Sequence, residues 1–220
     1  MQVAEESLIH DQHALSLQSV HFIGTSTLEI IRGLIMLKTV VTDIADSLVK
    51  IDSSGVPFRK FKQGVGPYGE PQLLREISRI LSLRSVYQGK VETRRTPDLL
   101  IKGSWALEFK IVRPFGDNGK EAENWSVNLI HPYEGNVSAL GDCMKLLRLD
   151  MPEKKAVVAI GYEHDPPNIL VKPLVESFEI LAERIMKIRL GPREAEKRRN
   201  LIHPIHQQLT VYAWEVLGTR

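Results

Sequence analysis

Apolar positions recur in alternating steps of four and three at Ile30, Leu34, Leu37, Val41, Ile44 and Leu48. Such a seam, broadened by Ile31, Ile35 and Ala45, predicts a long helix over 27–49. Ser26-Thr27-Leu28-Glu29 at its start has the Ser-x-x-Glu form of a capping box. The seam can pack on the chain's own core or on a second copy. Its shortness favours the core, with dimerisation as the other option. A second amphipathic stretch opens at Glu70-Pro71, a proline suited to a first helical turn. Its stripe is Leu73, Leu74, Ile77, Ile80 and Leu81. At about 100° per residue, Glu70 projects near the middle of that stripe and Glu76 well to its side.

The period then changes. Ser85–Thr93 reads as a strand, and Asp98–Ile101 and Trp105–Val112 read as two more, joined around Lys102-Gly103-Ser104. Residues 113–135 form a long polar loop containing Trp125, His131 and Tyr133, and loops of that length usually serve a function. Asn136 caps a helix running to Leu149, with Val137, Leu140, Met144 and Leu147 inward. Ala156–Gly161 is an apolar run fit for a buried strand. Pro173–Leu190 reads as another helix, Arg193–Arg199 as a charged and mostly basic segment, and Gln207–Leu217 as a last strand. Helices separated by sheet elements in this order imply an α/β fold with a mixed central sheet. The expected division is 1–60, an N-terminal arm and long helix, and 61–220, the sheet-bearing domain.

Composition narrows the class. The chain has 220 residues, 43% hydrophobic and 25% charged, and a net charge of +2. That is a globular composition, large enough to bury a core without staples. The single Cys143 rules out an internal disulfide framework or a cysteine-based zinc cluster. The acidic start Met1-Gln2-Val3-Ala4-Glu5-Glu6 lacks the order of a signal peptide, and no apolar run is long enough for a membrane span. A cytoplasmic protein without membrane contact or organic cofactor is expected. His10 and His13 read as residues of a terminal arm. His203-Pro204-Ile205-His206 has metal-like spacing, but Pro204 disfavours a helix presenting both rings and predicts a surface turn.

The charges on the two central strands carry the chemistry. Alternation along Trp105–Val112 sends Leu107, Phe109 and Ile111 to one face, and Ala106, Glu108, Lys110 and Val112 to the other. An acid and a lysine thus share a face of an otherwise apolar strand. Buried charges are costly unless paired or bound to metal. If Ile101 stands opposite Trp105 across a three-residue loop, Asp98 falls opposite Glu108 on that same face. Two converging carboxylates beside an ammonium would suit a hard divalent cation, Mg²⁺ or Mn²⁺.

Pro97-Asp98, nine residues, then Glu108-Phe109-Lys110 resembles the PD-(D/E)xK nuclease superfamily, which includes restriction endonucleases and archaeal junction resolvases. The similarity extends over roughly residues 66–161. It implies a restriction-endonuclease-like core and Mg²⁺-dependent hydrolysis of DNA phosphodiesters, with Mn²⁺ able to substitute. Asp98, Glu108 and the main-chain carbonyl of Phe109 would hold the metal. Glu70 on the preceding helix would join them, with Glu76 as the alternative, and Lys110 would orient the attacking water. Ser138, Asp142 and Lys145 on the following helix are further candidates. Arg59, Lys60, Lys62, Arg94, Arg95 and the segment 193–199 would meet DNA phosphates. A restriction-like or defence endonuclease acting as a homodimer is the expectation. The alternatives are a resolvase-type repair nuclease and a non-catalytic DNA-binding subunit that keeps the fold.

Overall fold

The computed structural model of the chain describes residues 35–132 and 138–220. The arm with His10 and His13, the capping box, the first part of the expected helix, Tyr133 and Asn136 lie outside the described residues. The chain divides into two units, Met1–Ile35 and Met36–Arg220, and the elements below all belong to the second. The expected boundary between 60 and 61 falls inside that unit.

Helix α1 (Leu37–Ser53) buries Leu37, Val41, Ile44 and Leu48 together with Val40, Ala45 and Ile51. The described part of the seam therefore packs within its own chain, against the neighbouring helix and the sheet, and does not present these side chains to a second copy. Helix α2 (Glu70–Ser82) starts where Pro71 predicts and buries the expected stripe. Among the described residues no helix is long and apolar enough to cross a membrane.

Seven strands form one mixed sheet: β1 (Val91–Thr93), β2 (Leu99–Ile101), β3 (Trp105–Val112), β4 (Lys154–Glu163), β5 (Ile188–Leu190), β6 (Glu194–Arg198) and β7 (Gln208–Thr219). The order is β1-β2-β3-β4-β7-β5, with β6 also beside β7. Strands β3 and β4 are parallel, so their connection must cross over the sheet. It does so through the short α3 (Val127–Ile130) and α4 (Ala139–Leu147). Ala139, Leu140, Cys143 and Leu146 of α4 join a core with Ala106, Val112, Val157 and Ala159. Helix α5 (Lys172–Ile180) adds Leu174, Val175 and Phe178 to it. All eight residues of β3 are buried, as expected of a strand covered on both faces.

Three segments depart from the sequence pattern. Ser85–Tyr87 is a 3₁₀ turn, and only Val91–Thr93 of the expected strand joins the sheet. Buried Tyr87 donates its hydroxyl to Asp43 of α1 (2.6 Å), and Arg84 pairs with the same carboxylate, which draws this segment off the sheet. The expected helix 173–190 is α-helical only to Ile180 and continues as a π-turn over Leu181–Ile185. Lys187 then takes a left-handed φ of 58°, and Ile188–Leu190 pairs with β7. The basic segment 193–199 is largely strand β6. There Arg198 pairs with Asp46 and Glu196, Arg193 with Glu179, and Arg199 with Asp165. These guanidinium groups pair with acids of the protein itself, and Arg199 stays largely exposed.

The pair His203 and His206 is not at a surface turn. Both are buried, at 0% and 2% exposure, with rings stacked at 4.4 Å. His203 Nδ1 accepts from the backbone N–H groups of Ile205 and His206, so its proton is on Nε2, which donates to Asp117 Oδ1 (2.8 Å). His206 Nε2 donates to the Phe115 carbonyl (2.9 Å). Asp117 also accepts from Lys62 N, while Lys62 Nζ donates to the Asp117 carbonyl. Asp52 at the end of α1 accepts from Val65 N and Ile202 N. Gly66 lies so close to His206 that a Cβ there would stand 2.1 Å from the ring nitrogen. These contacts tie the segments 62–66, 115–117 and 201–206 to one another.

Burial drives the His206 pKa down to about 4; the Phe115 carbonyl opposes this, and the neighbouring His203 and Arg113 reinforce it. In the unfolded chain the same ring titrates near 6.5. The unfolded state thus binds more protons between these values. The stability conferred by neutral His206 is complete above about pH 6.5 and is lost as pH falls toward 4, to the extent of about 3 kcal/mol at most. Thermal melts from pH 7 to 4 should show this loss in the wild type. His206→Gln, which keeps an N–H for Phe115 but cannot titrate, should show a shallower slope; parallel slopes would exclude His206 as the source.

Candidate active site

The β2–β3 hairpin has the required register. Ile101 faces Trp105, Leu100 faces Ala106 and Leu99 faces Leu107. Lys102-Gly103-Ser104 forms the loop, in which Gly103 takes a φ of 71° that side chains rarely adopt. Extending the pairing by one residue places Asp98 across from Glu108. Strand β2 ends at Leu99, and the Asp98 side chain takes over as acceptor: its Oδ2 receives the N–H of Phe109 at 2.8 Å. The first acid is thereby fixed against the strand that carries the second.

Helix α4 closes the floor of the site. Ser138 caps it, accepting from Gly141 N at 3.2 Å. Its buried residues are Ala139, Leu140, Asp142, Cys143 and Leu146, one position ahead of the expected Met144 and Leu147. This rotation turns Asp142 toward β3. Lys110 Nζ lies 2.6 Å from Asp142 Oδ2 and donates to the Phe109 carbonyl at 2.8 Å. Lys145 Nζ bridges Glu108 Oε2 (2.6 Å) and Asp142 Oδ1 (3.0 Å). Glu108 is fully buried, and Lys110 and Asp142 are 8% and 3% exposed. Asp142 and Lys145 thus enter the site as partners of the two strand charges. Their signal in the sequence was an acid and a lysine three apart among apolar helix positions, which becomes specific only once the helix phase is known.

Glu70 reaches the same place from the N-terminus of α2. Burial drives its pKa up to about 7, against the lowering effect of Lys110, and Asp98 and Asp142 raise it further. Burial likewise raises the Glu108 pKa, with Lys145 opposing and Asp98 and Asp142 adding to the rise. Burial works against the charged form of Lys145, but its bonds to Glu108 and Asp142 prevail and raise its pKa. Glu76, by contrast, is tied to Arg79 (2.9 Å) on an outer part of α2.

Four carboxyl groups, Glu70, Asp98, Glu108 and Asp142, therefore surround two ammonium groups, Lys110 and Lys145. Fully ionised, this inner set carries a formal surplus of two negative charges. Glu108 Oε1 is buried and has no hydrogen-bond partner. An all-oxygen donor set with an orphaned carboxylate oxygen and that surplus fits a hard divalent cation. Among the described residues, no three histidine, cysteine or acidic side chains already form a metal-holding group, and the two ammonium groups stand between the acids.

Two cavities open onto the cluster. One, of about 550 Å³, is lined by Glu70, Lys110, Arg113, Trp125 and Asn128 among others. The other, of about 500 Å³, is lined by Glu70, Arg75, Arg94, Arg95 and Asp98 among others. They meet at Glu70. Of the expected phosphate contacts, Arg94 and Arg95 are thus at the site, Arg94 pairing with Glu92 on the way. Lys62 is bound to Asp117, the Arg59 guanidinium lies 5.2 Å from the centre of the Phe58 ring, and Lys60 is exposed away from the two cavities. The three are not brought to the acids.

No family model, curated protein or solved structure matches this chain.

Removing the Lys145 ammonium leaves Glu108 buried beside Asp142 with no cation on its Oε2. Lys145→Met should therefore destabilise the fold by about 2 kcal/mol, less than a fully buried pair because Lys145 is partly exposed. Adding Glu108→Gln should recover at least half of that loss. Denaturant titration of the wild type, both single variants and the double variant measures the coupling; additive effects would mean that the pair is energetically idle.

Proposed function

We propose that the protein is a metal-dependent nuclease of the PD-(D/E)xK type that hydrolyses phosphodiester bonds of DNA. One observation carries the reading: a buried Glu108 with an orphaned oxygen shares a strand face with Lys110 and stands across from Asp98. The order of helix, β-hairpin, crossover helix and parallel strand around it supports the same reading.

In this reading Asp98, Glu108 and Glu70 would hold Mg²⁺ or Mn²⁺ together with the Phe109 carbonyl, which accepts from Lys110 Nζ at 2.8 Å. When bound, the cation supplies charge stabilisation at the phosphoryl oxygens and a lowered pKa for water at the site. Lys110 orients the attacking water and balances charge on the phosphoryl group. Asp142 acts through Lys110 by holding its ammonium, and Lys145 keeps Glu108 and Asp142 from repelling each other. Arg94 and Arg95 receive neighbouring phosphates at the mouth of the second cavity. Positioning of the water and electrostatic stabilisation are the two effects these residues provide.

Supercoiled plasmid and short oligonucleotides incubated with Mg²⁺ or Mn²⁺ should be cut, and EDTA should stop the cutting. Lys110→Ala and Glu108→Ala should each lower the rate by roughly 100-fold or more. A wild-type protein that retards these DNAs on a gel yet leaves them intact with either metal would replace this reading with a binding subunit.

A further inference from the structure

The walls of the site differ in chemistry. The Glu70–Asp98 side presents Arg94 and Arg95. The loop side presents the indole of Trp125, the amides of Asn124 and Asn128, and the carboxylate of Glu123. Both walls mix charges, Arg94 and Arg95 beside Glu70 and Asp98 in the first and Lys110 and Arg113 beside Glu123 in the second; the second alone adds an aromatic ring, Trp125, and the amide of Asn124, which suit a base. A third cavity, of about 170 Å³, shares Arg113 and Ala122 with the central one and is walled by Phe61, Phe115 and His206. The first two cavities share Glu70 and the last two Arg113 and Ala122, so the three adjoin in turn as a trough running from Arg94 and Arg95 past Lys110 to Phe61 and Phe115.

The aromatic end is built. Phe58 stacks on Tyr68 at 4.7 Å, and Phe61 lies parallel to Phe58 at 6.2 Å and 6°. The outer member, Phe61, is 37% exposed and leaves part of its ring open to a ligand. The bonds of Lys62 to Asp117 and of His203 and His206 to the 115–117 segment hold Phe61 and the loop wall in place. The floor lies deep, with Glu108 fully buried beneath these walls. A duplex is stiff over about 150 base pairs and presents its phosphates on a convex surface. A single strand can bend into a trough and offers unstacked bases to its rings.

We propose that the trough takes a single-stranded polynucleotide, with phosphates against Arg94 and Arg95 and bases stacked on Trp125 and Phe61. This specifies the substrate of the nuclease reading and rests on it for the cleavage step alone; the binding preference stands independently.

Binding is measured in EDTA, without cleavage, by anisotropy of labelled oligo(dT), oligo(U), oligo(dU), a blunt duplex and a duplex with a single-stranded flap. Oligo(dT) or oligo(U) and the flapped duplex should bind at least about ten-fold more tightly than the blunt duplex, and oligo(dU), which differs from oligo(U) in the sugar alone, identifies the preferred sugar. Phe61→Ala and Trp125→Leu should each weaken single-strand binding about ten-fold, and Trp125→Phe should restore most of the affinity. Trp105 and Trp214 are 2% and 1% exposed, so quenching of tryptophan emission on binding should disappear in Trp125→Leu. Equal or tighter binding of the blunt duplex, or aromatic variants with unchanged affinity, would overturn the proposal. With Mg²⁺ added, single-strand binding without cutting removes the nuclease reading and leaves this one. Cutting of duplex without single-strand preference does the reverse.

Discussion

The pairing of Lys110 and Lys145 with the acids between β3 and α4 is the interaction on which the centre of this molecule depends. Glu108 sits in a strand whose residues are all buried, under a helix whose neighbouring positions are apolar. A lone carboxylate there would cost several kcal/mol. Lys145 from above and the Lys110–Asp142 pair beside it offset that cost without cancelling it, which is why the pKa values of Glu70 and Glu108 are raised. The four acids thus outnumber the two ammonium groups, and Glu108 Oε1 is left buried with no hydrogen-bond partner. The same rotation of α4 that keeps Leu140, Cys143 and Leu146 in the core turns Asp142 and Lys145 toward the strand.

A second polar assembly, remote from the acids along the chain, shapes the space above them. Asp52 ends α1 and binds the backbone of Val65 and Ile202, while His203 binds Asp117, which also receives Lys62 N. The long segment after β3 is thus anchored at 115–117 before it reaches Trp125. Loops positioned by a fixed scaffold are where binding residues concentrate. Lys62, whose sequence context suggests a surface that follows phosphates, is bound to Asp117 as part of this anchoring.

The two proposals divide the site between chemistry and recognition. The acids and lysines come from β3, α2, α4 and, with Asp98, the residue just before β2, elements held by backbone hydrogen bonds and core packing. The aromatic rings come from connecting segments held by side-chain bonds.

Much of the site was legible in the chain. The even sum of Asp98 and Glu108 made one shared face possible, because side chains on paired strands alternate strictly, and the register that places Ile101 opposite Trp105 meets the condition. Pro71 and the stripe of α2 distinguish Glu70 from Glu76, because a helix displays its residues at a fixed angle. The α/β class followed from the change of apolar period. What only the tertiary structure decided are features whose energy comes from residues distant in sequence. Asp43 draws Tyr87 and Arg84 out of the expected strand, and Asp46 claims the arginine of β6. Asp117 buries a histidine that Pro204 alone would place at the surface. Asp142 and Lys145 become site residues because α4 is turned by packing against β3 and β4, and no local pattern encodes that angle.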